Sequence, residues 1–383
     1  MAQDTPVTEN ARPGHLHNLV ALAKVVVLVL LCIGVIDAAV RVWFSQNQTL
    51  FRIVDIQTPS VLYAKLEALR EFDGIKVIIL GDSLVYGRSM EAHGDDDWRR
   101  HVISRQLQER LAGSFPDRDL MVLNLGMNGA LPQDLENLVR IIQPYKPDLL
   151  LFDLSLRSFS DDFEEAGEAE TRPWLNDMEI SGNGRLTTGG KGARLSSVID
   201  DTVSGYWFLH RVSDFLQWHL LDGEPVNFTR NLRTKIDLWF KGGVPEMTRK
   251  EERSERAILM IKAKRRYSAI RLEGDNRQLA ALQYMLEFLS ATRQPTLIFY
   301  ATENPGVLRQ IVDVSKHQQD LEVLRRHIED HADGRYIGYH PALESLKPGM
   351  FLDHVHLNAA GYAELADSLL PQATALIISN QEK

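Results

Sequence analysis

The chain contains a single cysteine, Cys32, in 383 residues, and that cysteine lies within an apolar stretch. A disulfide framework and a cysteine-based metal site within one chain are therefore excluded. A basic excess is also missing, because 43 lysines and arginines stand against 52 aspartates and glutamates, which gives a formal net charge of −9. General nucleic-acid binding is therefore not expected, since phosphates would find few free cations. The sequence contains no internal repeats.

Long apolar runs are scarce as well, with one exception near the N-terminus. Residues 1–18 are polar and predict a disordered tail, whereas residues 19–44 contain the unbroken apolar run Val25–Ile36. A helix needs about 20 largely apolar residues to cross a bilayer. The segment qualifies if Lys24 lies towards one face and Asp37 towards the other. We therefore predict a transmembrane anchor at 19–44, with a cleaved signal peptide or a buried core helix as the alternatives.

The orientation of this anchor follows only weakly from its flanks. Positive charges precede and follow the apolar core in similar number, so the positive-inside rule barely discriminates. Trp43 and Phe44 suit an interfacial position. We expect a single-pass protein of the inner, or cytoplasmic, membrane, with residues 45–74 forming a stem that contains a helix and with the large domain in the periplasm.

Beyond the stem, short apolar segments alternate with helical patterns. The predicted strands are Lys76–Leu80, Leu120–Leu125, Asp148–Leu156, Pro295–Tyr300 and Tyr336–Tyr339. Such alternation predicts an α/β domain with a parallel sheet and right-handed crossovers. The alternation is interrupted, so we predict a first part of the domain at 75–160, a mostly helical insertion at 161–293 and a second part at 294–383. The aromatic residues of the insertion either pack inside it or form a lid that faces a membrane or a partner.

A serine follows the first predicted strand, in the sequence Gly81-Asp82-Ser83-Leu84. This position lies at the carboxyl edge of the sheet and near the start of a helix, where open α/β sheets bind ligands and where backbone N–H groups favour negative charge. The segment is not a Gly-x-Ser-x-Gly elbow, because Val85 stands where the second glycine would be. Alone, the four residues are a weak signal and are compatible with an ordinary loop.

A possible base for this serine lies near the other end of the chain. Asp353 and His356 are three residues apart on a predicted loop, so the carboxylate can fix one imidazole nitrogen while the other faces the serine. A surface histidine that caps a helix is the structural alternative for His356. His354 could suggest a metal pair with His356, but no third ligand is apparent, so neither a metal nor another cofactor is expected.

Together these motifs resemble the SGNH, or GDSL, hydrolase superfamily. The resemblance rests on Gly81-Asp82-Ser83-Leu84, on Asn124 to Gly129, and on Asp353-x-x-His356 with the following Leu357 to Tyr362. It implies a flavodoxin-like three-layer α/β/α fold. It also implies Ser83 as nucleophile, His356 as base and Asp353 as the residue that orients the base. The backbone N–H groups of Ser83 and Gly129 would form the oxyanion hole.

One block departs from the superfamily pattern after the third strand. Arg157 stands where the superfamily usually has an oxyanion asparagine. Arg157 could replace that donor, bind an anionic substrate or form an ordinary ion pair. We therefore treat Arg157 and the neighbouring loop residue Asn128 as candidate substrate-binding residues.

The resemblance implies a membrane-tethered serine ester hydrolase or O-acyl(acetyl)transferase that acts through an acyl-serine. The anchor, extracytoplasmic domain and insertion resemble bacterial cell-surface polysaccharide acylation systems, in which the partner is a multi-spanning membrane acyltransferase. We therefore expect acylated carbohydrate as substrate. A lipid esterase or thioesterase, and a catalytically inactive SGNH-like scaffold of a membrane acylation complex, are the alternatives.

Overall fold

The computed structural model describes residues 14–46, 59–161, 175, 178–180, 186–188, 208–211 and 249–381. Within these ranges the strands are β1 Ile75–Gly81, β2 Leu120–Gly126, β3 Leu149–Leu154, β4 Met178–Ile180, β5 Leu186–Thr188, β6 Thr296–Tyr300 and β7 Ile337–His340. The helices are α1 Gly14–Gln46, α2 Pro59–Glu71, α3 Ser83–Tyr86, α4 Ser89–Ala92, α5 Trp98–His101, α6 Ile103–Ser114, α7 Pro132–Ile142, α8 Phe208–Arg211, α9 Arg249–Ser268, α10 Arg277–Ala291, α11 Pro305–Ile311, α12 Val314–His331 and α13 Ala359–Gln381. Short 3-10 turns cover Gln143–Tyr145, Leu156–Phe159 and Pro348–Met350.

The main sheet has the strand order β2-β1-β3-β6-β7, and every neighbouring pair is parallel. Omitting the separate antiparallel hairpin β4–β5, this is the 2-1-3-4-5 order of flavodoxin-like folds. The predicted parallel α/β fold is confirmed. In such a sheet the strand order reverses beside β1, and ligands bind there at the carboxyl ends of the strands. Ser83 lies at this point, because it follows the carboxyl end of β1.

Two apolar layers bury the two faces of the sheet. Ile78 and Leu80 of β1 pack in one core with helices α2, α7, α10 and α12. Val77 and Ile79, which alternate with them, pack in the other core with helices α6 and α13. Burial on both faces explains why β1 is almost continuously apolar rather than alternating. The architecture is therefore three-layered, α/β/α.

Helix α1 is apolar enough and long enough to cross a membrane between Val20 and Phe44, judged by length and composition, with a mean hydropathy of 2.7. Most of its large apolar side chains between Val20 and Ile36 are exposed. The helix then contacts the domain. Asp37 accepts a hydrogen bond from the Leu209 N–H at 2.6 Å, and Phe44 packs edge-on against Phe208 with ring centroids 4.9 Å apart.

Three elements differ from the sequence-based expectations. Helix α1 begins at Gly14, inside the predicted tail, and residues 1–13 lie outside the described residues. The sequence from about Gly306 to His331 favours one continuous helix, but the structure has two, because the Asp313 side chain accepts from the Ser315 and Lys316 N–H groups and starts α12. Helix α10, inside the predicted 161–293 insertion, packs in the core beneath the sheet. Most of the aromatic segment of the insertion lies outside the described residues, and the domain boundaries stay predictions.

Candidate active site

The turn that carries Ser83 is held tightly at the end of β1. A Cβ atom on Gly81 would clash with Asp153 and Val85, so glycine lets β1 end in close contact with its neighbours. The Asp82 side chain accepts a hydrogen bond from the Leu84 N–H at 2.8 Å and caps the short helix α3. Ser83 is therefore the first residue of α3, half-buried at the carboxyl edge of the sheet.

The loop that carries His356 is shaped by its own aspartate. One Asp353 oxygen, Oδ1, accepts from the N–H groups of Val355 and His356, both at 2.8 Å. Asn304 holds the loop from outside, because its side chain donates to the Asp353 carbonyl and its N–H donates to the His354 carbonyl, both at 2.9 Å. The second Asp353 oxygen remains directed at the His356 ring.

Three side chains form a continuous relay. Ser83 Oγ lies 2.9 Å from His356 Nε2, and His356 Nδ1 lies 2.7 Å from Asp353 Oδ2. Burial opposes ionisation of Asp353, but the hydrogen bonds and positive charge of His356 and the backbone N–H groups outweigh it and hold the pKa of Asp353 well below its ordinary value. An ionised Asp353 favours the tautomer with the proton on Nδ1, which leaves Nε2 free to accept the serine proton.

Two unused backbone donors belong to this turn and to the loop that follows β2. The loop after β2 is tied to it by a hydrogen bond from the Met127 N–H to the Gly81 carbonyl at 2.9 Å. Gly129 in this loop adopts a left-handed φ of 66°, and Asn128 beside it is exposed. Within the described ranges, neither the Ser83 N–H nor the Gly129 N–H donates to a protein group. Both donors are therefore available to a developing negative charge on a substrate oxygen.

Arg157 is buried and pairs with the aspartate of the nucleophile turn. Its side chain is 8% exposed and its guanidinium donates to Asp82 Oδ2. Burial raises the pKa of Asp82, but the charge of Arg157 and the Leu84 N–H outweigh it, so this pKa lies below its ordinary value. Burial and the charge of Asp82 raise the pKa of Asp153 well above its ordinary value, which favours the protonated acid. This geometry favours the ion-pair alternative for Arg157 over a substrate contact.

A second buried polar cluster lies against this ion pair. The hydroxyl groups of Tyr267 and Tyr300 donate to one Glu303 oxygen at 2.8 and 2.5 Å, and His317 Nε2 lies 3.4 Å from the other. Burial and the charge of Glu303 raise the pKa of Tyr267 well above its ordinary value, while Arg157 opposes them. Helix α9, which carries Tyr267, thereby supports the site from the predicted insertion.

Sequence reasoning missed two contributors to the site, Asn304 and Tyr267. A signal for Asn304 existed, because asparagine followed by proline is typical of a helix start, here that of α11. Nothing in the sequence pairs Tyr267 with Glu303. His354 was considered only as a metal ligand. Across the part of the chain that the structure describes, no group of three or more histidine, cysteine, aspartate or glutamate side chains could hold a metal ion.

Comparisons with known proteins add little to this geometry. No family model matches the sequence, and a search of curated proteins found no match. Among solved structures, the chain is similar to LAE5, an alpha/beta hydrolase enzyme from the metagenome of Lake Arreo, Spain, at 14% identity over 80% of this chain and 99% of that one, with a TM-score of 0.35. It is also similar to a catalytic mutant of Axe2, an acetylxylan esterase from Geobacillus stearothermophilus, at 12% identity over 79% of this chain and 96% of that one, with a TM-score of 0.36.

Proposed function

We propose that this protein is a membrane-tethered serine ester hydrolase or O-acyltransferase of the SGNH type. The observation that carries the proposal is the relay from Ser83 through His356 to Asp353, with contacts of 2.9 and 2.7 Å. A serine hydroxyl is a weak nucleophile until a neighbouring base removes its proton, and an oriented imidazole is such a base. The uncommitted N–H groups of Ser83 and Gly129 supply the matching stabilisation of an oxyanion.

The reaction would proceed in two balanced halves. Ser83 Oγ bonds to the acyl carbon while its proton moves to His356 Nε2, and the alcohol leaves as it takes that proton. An acyl ester on Ser83 remains. Water, or a sugar hydroxyl in the transferase version, then attacks the acyl carbon and gives its proton to His356. Collapse returns the proton to Ser83 Oγ and releases the acid or the new ester.

The substrate that we propose is an O-acylated, in particular O-acetylated, carbohydrate of the cell surface. This part of the proposal depends on the resemblance of the architecture to polysaccharide acylation systems, and a multi-spanning membrane acyltransferase would be the partner. The alternative function, a lipid esterase, is supported by the exposed apolar side chains of α1.

The length of the acyl chain that the protein cleaves fastest distinguishes a carbohydrate esterase from a lipid esterase. We expect the full chain in detergent to cleave p-nitrophenyl acetate and an O-acetylated xylo-oligosaccharide faster than p-nitrophenyl palmitate, with the Ser83→Ala protein as the background. Preference for the palmitate ester would instead indicate a lipid esterase. Cleavage of none of the three esters, in protein that melts cooperatively, would indicate a scaffold without hydrolytic activity.

The location of the domain is a separate proposal with its own test. We propose that α1 spans the inner membrane with its N-terminus in the cytoplasm and residues 59–381 in the periplasm. An alkaline phosphatase fused after Lys383 should then be active, because that enzyme needs disulfides that form only outside the cytoplasm. A green fluorescent protein fused at the same position is the converse control, and fluorescence from it combined with an inactive phosphatase would overturn the orientation.

A further inference from the structure

His354 is a half-buried imidazole that the relay does not use. It lies between Asp353 and the buried Val355, and its side chain is 13% exposed. The contact to Asp353 Oδ1 is 3.9 Å from Nδ1, which is too long for a hydrogen bond. Within the described ranges no protein group is hydrogen-bonded to either ring nitrogen of His354. With 13% of its side chain exposed, the His354 ring is open to a ligand from outside.

The backbone of this residue is fixed while its ring is left free. Asn304 donates its N–H to the His354 carbonyl and its side-chain amide to the Asp353 carbonyl, each at 2.9 Å. Asn304 itself is held at the start of α11, where its side chain accepts from the Gly306 N–H at 2.9 Å. The ring is therefore presented from a rigid support, as a ligand-binding side chain requires.

The charge state of the ring indicates what it can bind. Burial lowers the pKa of His354 to about 4; Asp353 opposes this shift, and Arg157, His356 and Arg266 add to it. The ring is therefore neutral at neutral pH and offers one N–H donor and one nitrogen acceptor. That pair matches a hydroxyl group, which both donates and accepts, better than a carboxylate or a phosphate, which only accept.

The position of His354 selects which part of an ester it would meet. In the proposed mechanism the acyl oxygen lies near the N–H groups of Ser83 and Gly129. The alcohol leaves beside His356, which must protonate it, and the acceptor enters beside His356, which must deprotonate it. His354 is two residues from His356 on the same loop. We infer from this shared loop that His354 serves the alcohol and not the acyl oxygen.

We propose that His354 binds a hydroxyl group of the carbohydrate that departs as the alcohol, and so selects polyhydroxy esters over simple ones. This inference rests on the proposed esterase function. It goes beyond that function because it assigns a residue to recognition of the alcohol and not to the chemistry.

The test compares two esters that share an acetyl group and differ in the alcohol. We expect His354→Ala to lower the ratio of kcat/KM for an O-acetylated xylo-oligosaccharide to that for p-nitrophenyl acetate about tenfold, the usual effect of one hydrogen bond. The loss should fall mainly on KM for the saccharide, because the bond is present in both ground and transition states. His354→Gln, which keeps a donor and an acceptor, should restore part of the ratio.

Two controls make the result decisive. His327→Ala removes another half-buried imidazole with a lowered pKa, on α12 away from the relay, and should leave the ratio unchanged. Rates are divided by the concentration of Ser83 that reacts with a fluorophosphonate, so misfolded protein does not count. A ratio for His354→Ala within twofold of the natural protein, or cleavage of the phenyl ester alone by the natural protein, would overturn the inference. Cleavage of neither ester would overturn the proposed function as well.

Discussion

Ser83→Ala should lower kcat/KM for p-nitrophenyl acetate by about a thousandfold or more, because no other group in the relay can form the acyl bond. The contact of 2.9 Å between Ser83 Oγ and His356 Nε2 is the geometry that this expectation uses. Removal of one oxygen leaves Asp82 capping α3, so the fold should persist and the melting temperature should change little. The measurement is initial rate against ester concentration, together with a thermal melt of the same sample.

The relay also predicts graded losses for its other members. Asp353→Asn should also lower kcat/KM, but by a smaller factor than Ser83→Ala, since the nucleophile remains and the amide only favours the wrong imidazole tautomer. Ser114→Ala, which alters a serine on the exposed end of α6, is the matched control and should keep the full rate. Activity retained in Ser83→Ala would show that the cleavage does not pass through an acyl-Ser83 and would contradict the whole mechanism.

Local patterns predicted the elements that bring the relay together. An apolar run followed by Gly81-Asp82-Ser83 predicts the end of a strand, and the order of strands and helices predicts a parallel sheet. In such a sheet the functional residues gather at the carboxyl edge, whatever their separation in the chain. Ser83 and His356 are 273 residues apart and within hydrogen-bonding distance.

Long-range partners of buried polar groups could not be predicted in the same way. Lys65 looks like an ordinary surface lysine of an amphipathic helix, yet its side chain is buried and its amine donates to the Asn124 carbonyl at 2.5 Å, joining α2 to β2. The sequence left three interpretations of Arg157 open. The direction of its side chain depends on Asp82, which lies 75 residues earlier in the chain, and on Tyr267, which lies on a helix about 110 residues later. Sequence spacing carries no information about such contacts.

Arg157→Met should destabilise the protein by about 3–5 kcal/mol at neutral pH, because it leaves the buried Asp82 carboxylate without its counter-ion. In the natural protein the pKa of Asp82 is lowered, so the ion pair contributes stability above about pH 4, the ordinary pKa of an aspartate, and loses it as the pH falls. Without Arg157, burial is no longer offset and the pKa of Asp82 rises. The destabilisation should therefore be larger at pH 8 than at pH 5, as measured by urea unfolding at both values.

Two companion variants separate a missing charge partner from a missing substrate contact. Arg157→Met combined with Asp82→Asn should regain about half of the lost stability or more, since the double variant has no unpaired buried charge and the asparagine can still cap α3. Arg105→Met removes one partner of an exposed 3.0 Å pair with Glu109 and should cost under about 1 kcal/mol. If Arg157→Met behaved like Arg105→Met in stability but lost most of its turnover, the guanidinium would have to reach the substrate. The buried pair with Asp82 would then not be the state in which the enzyme works.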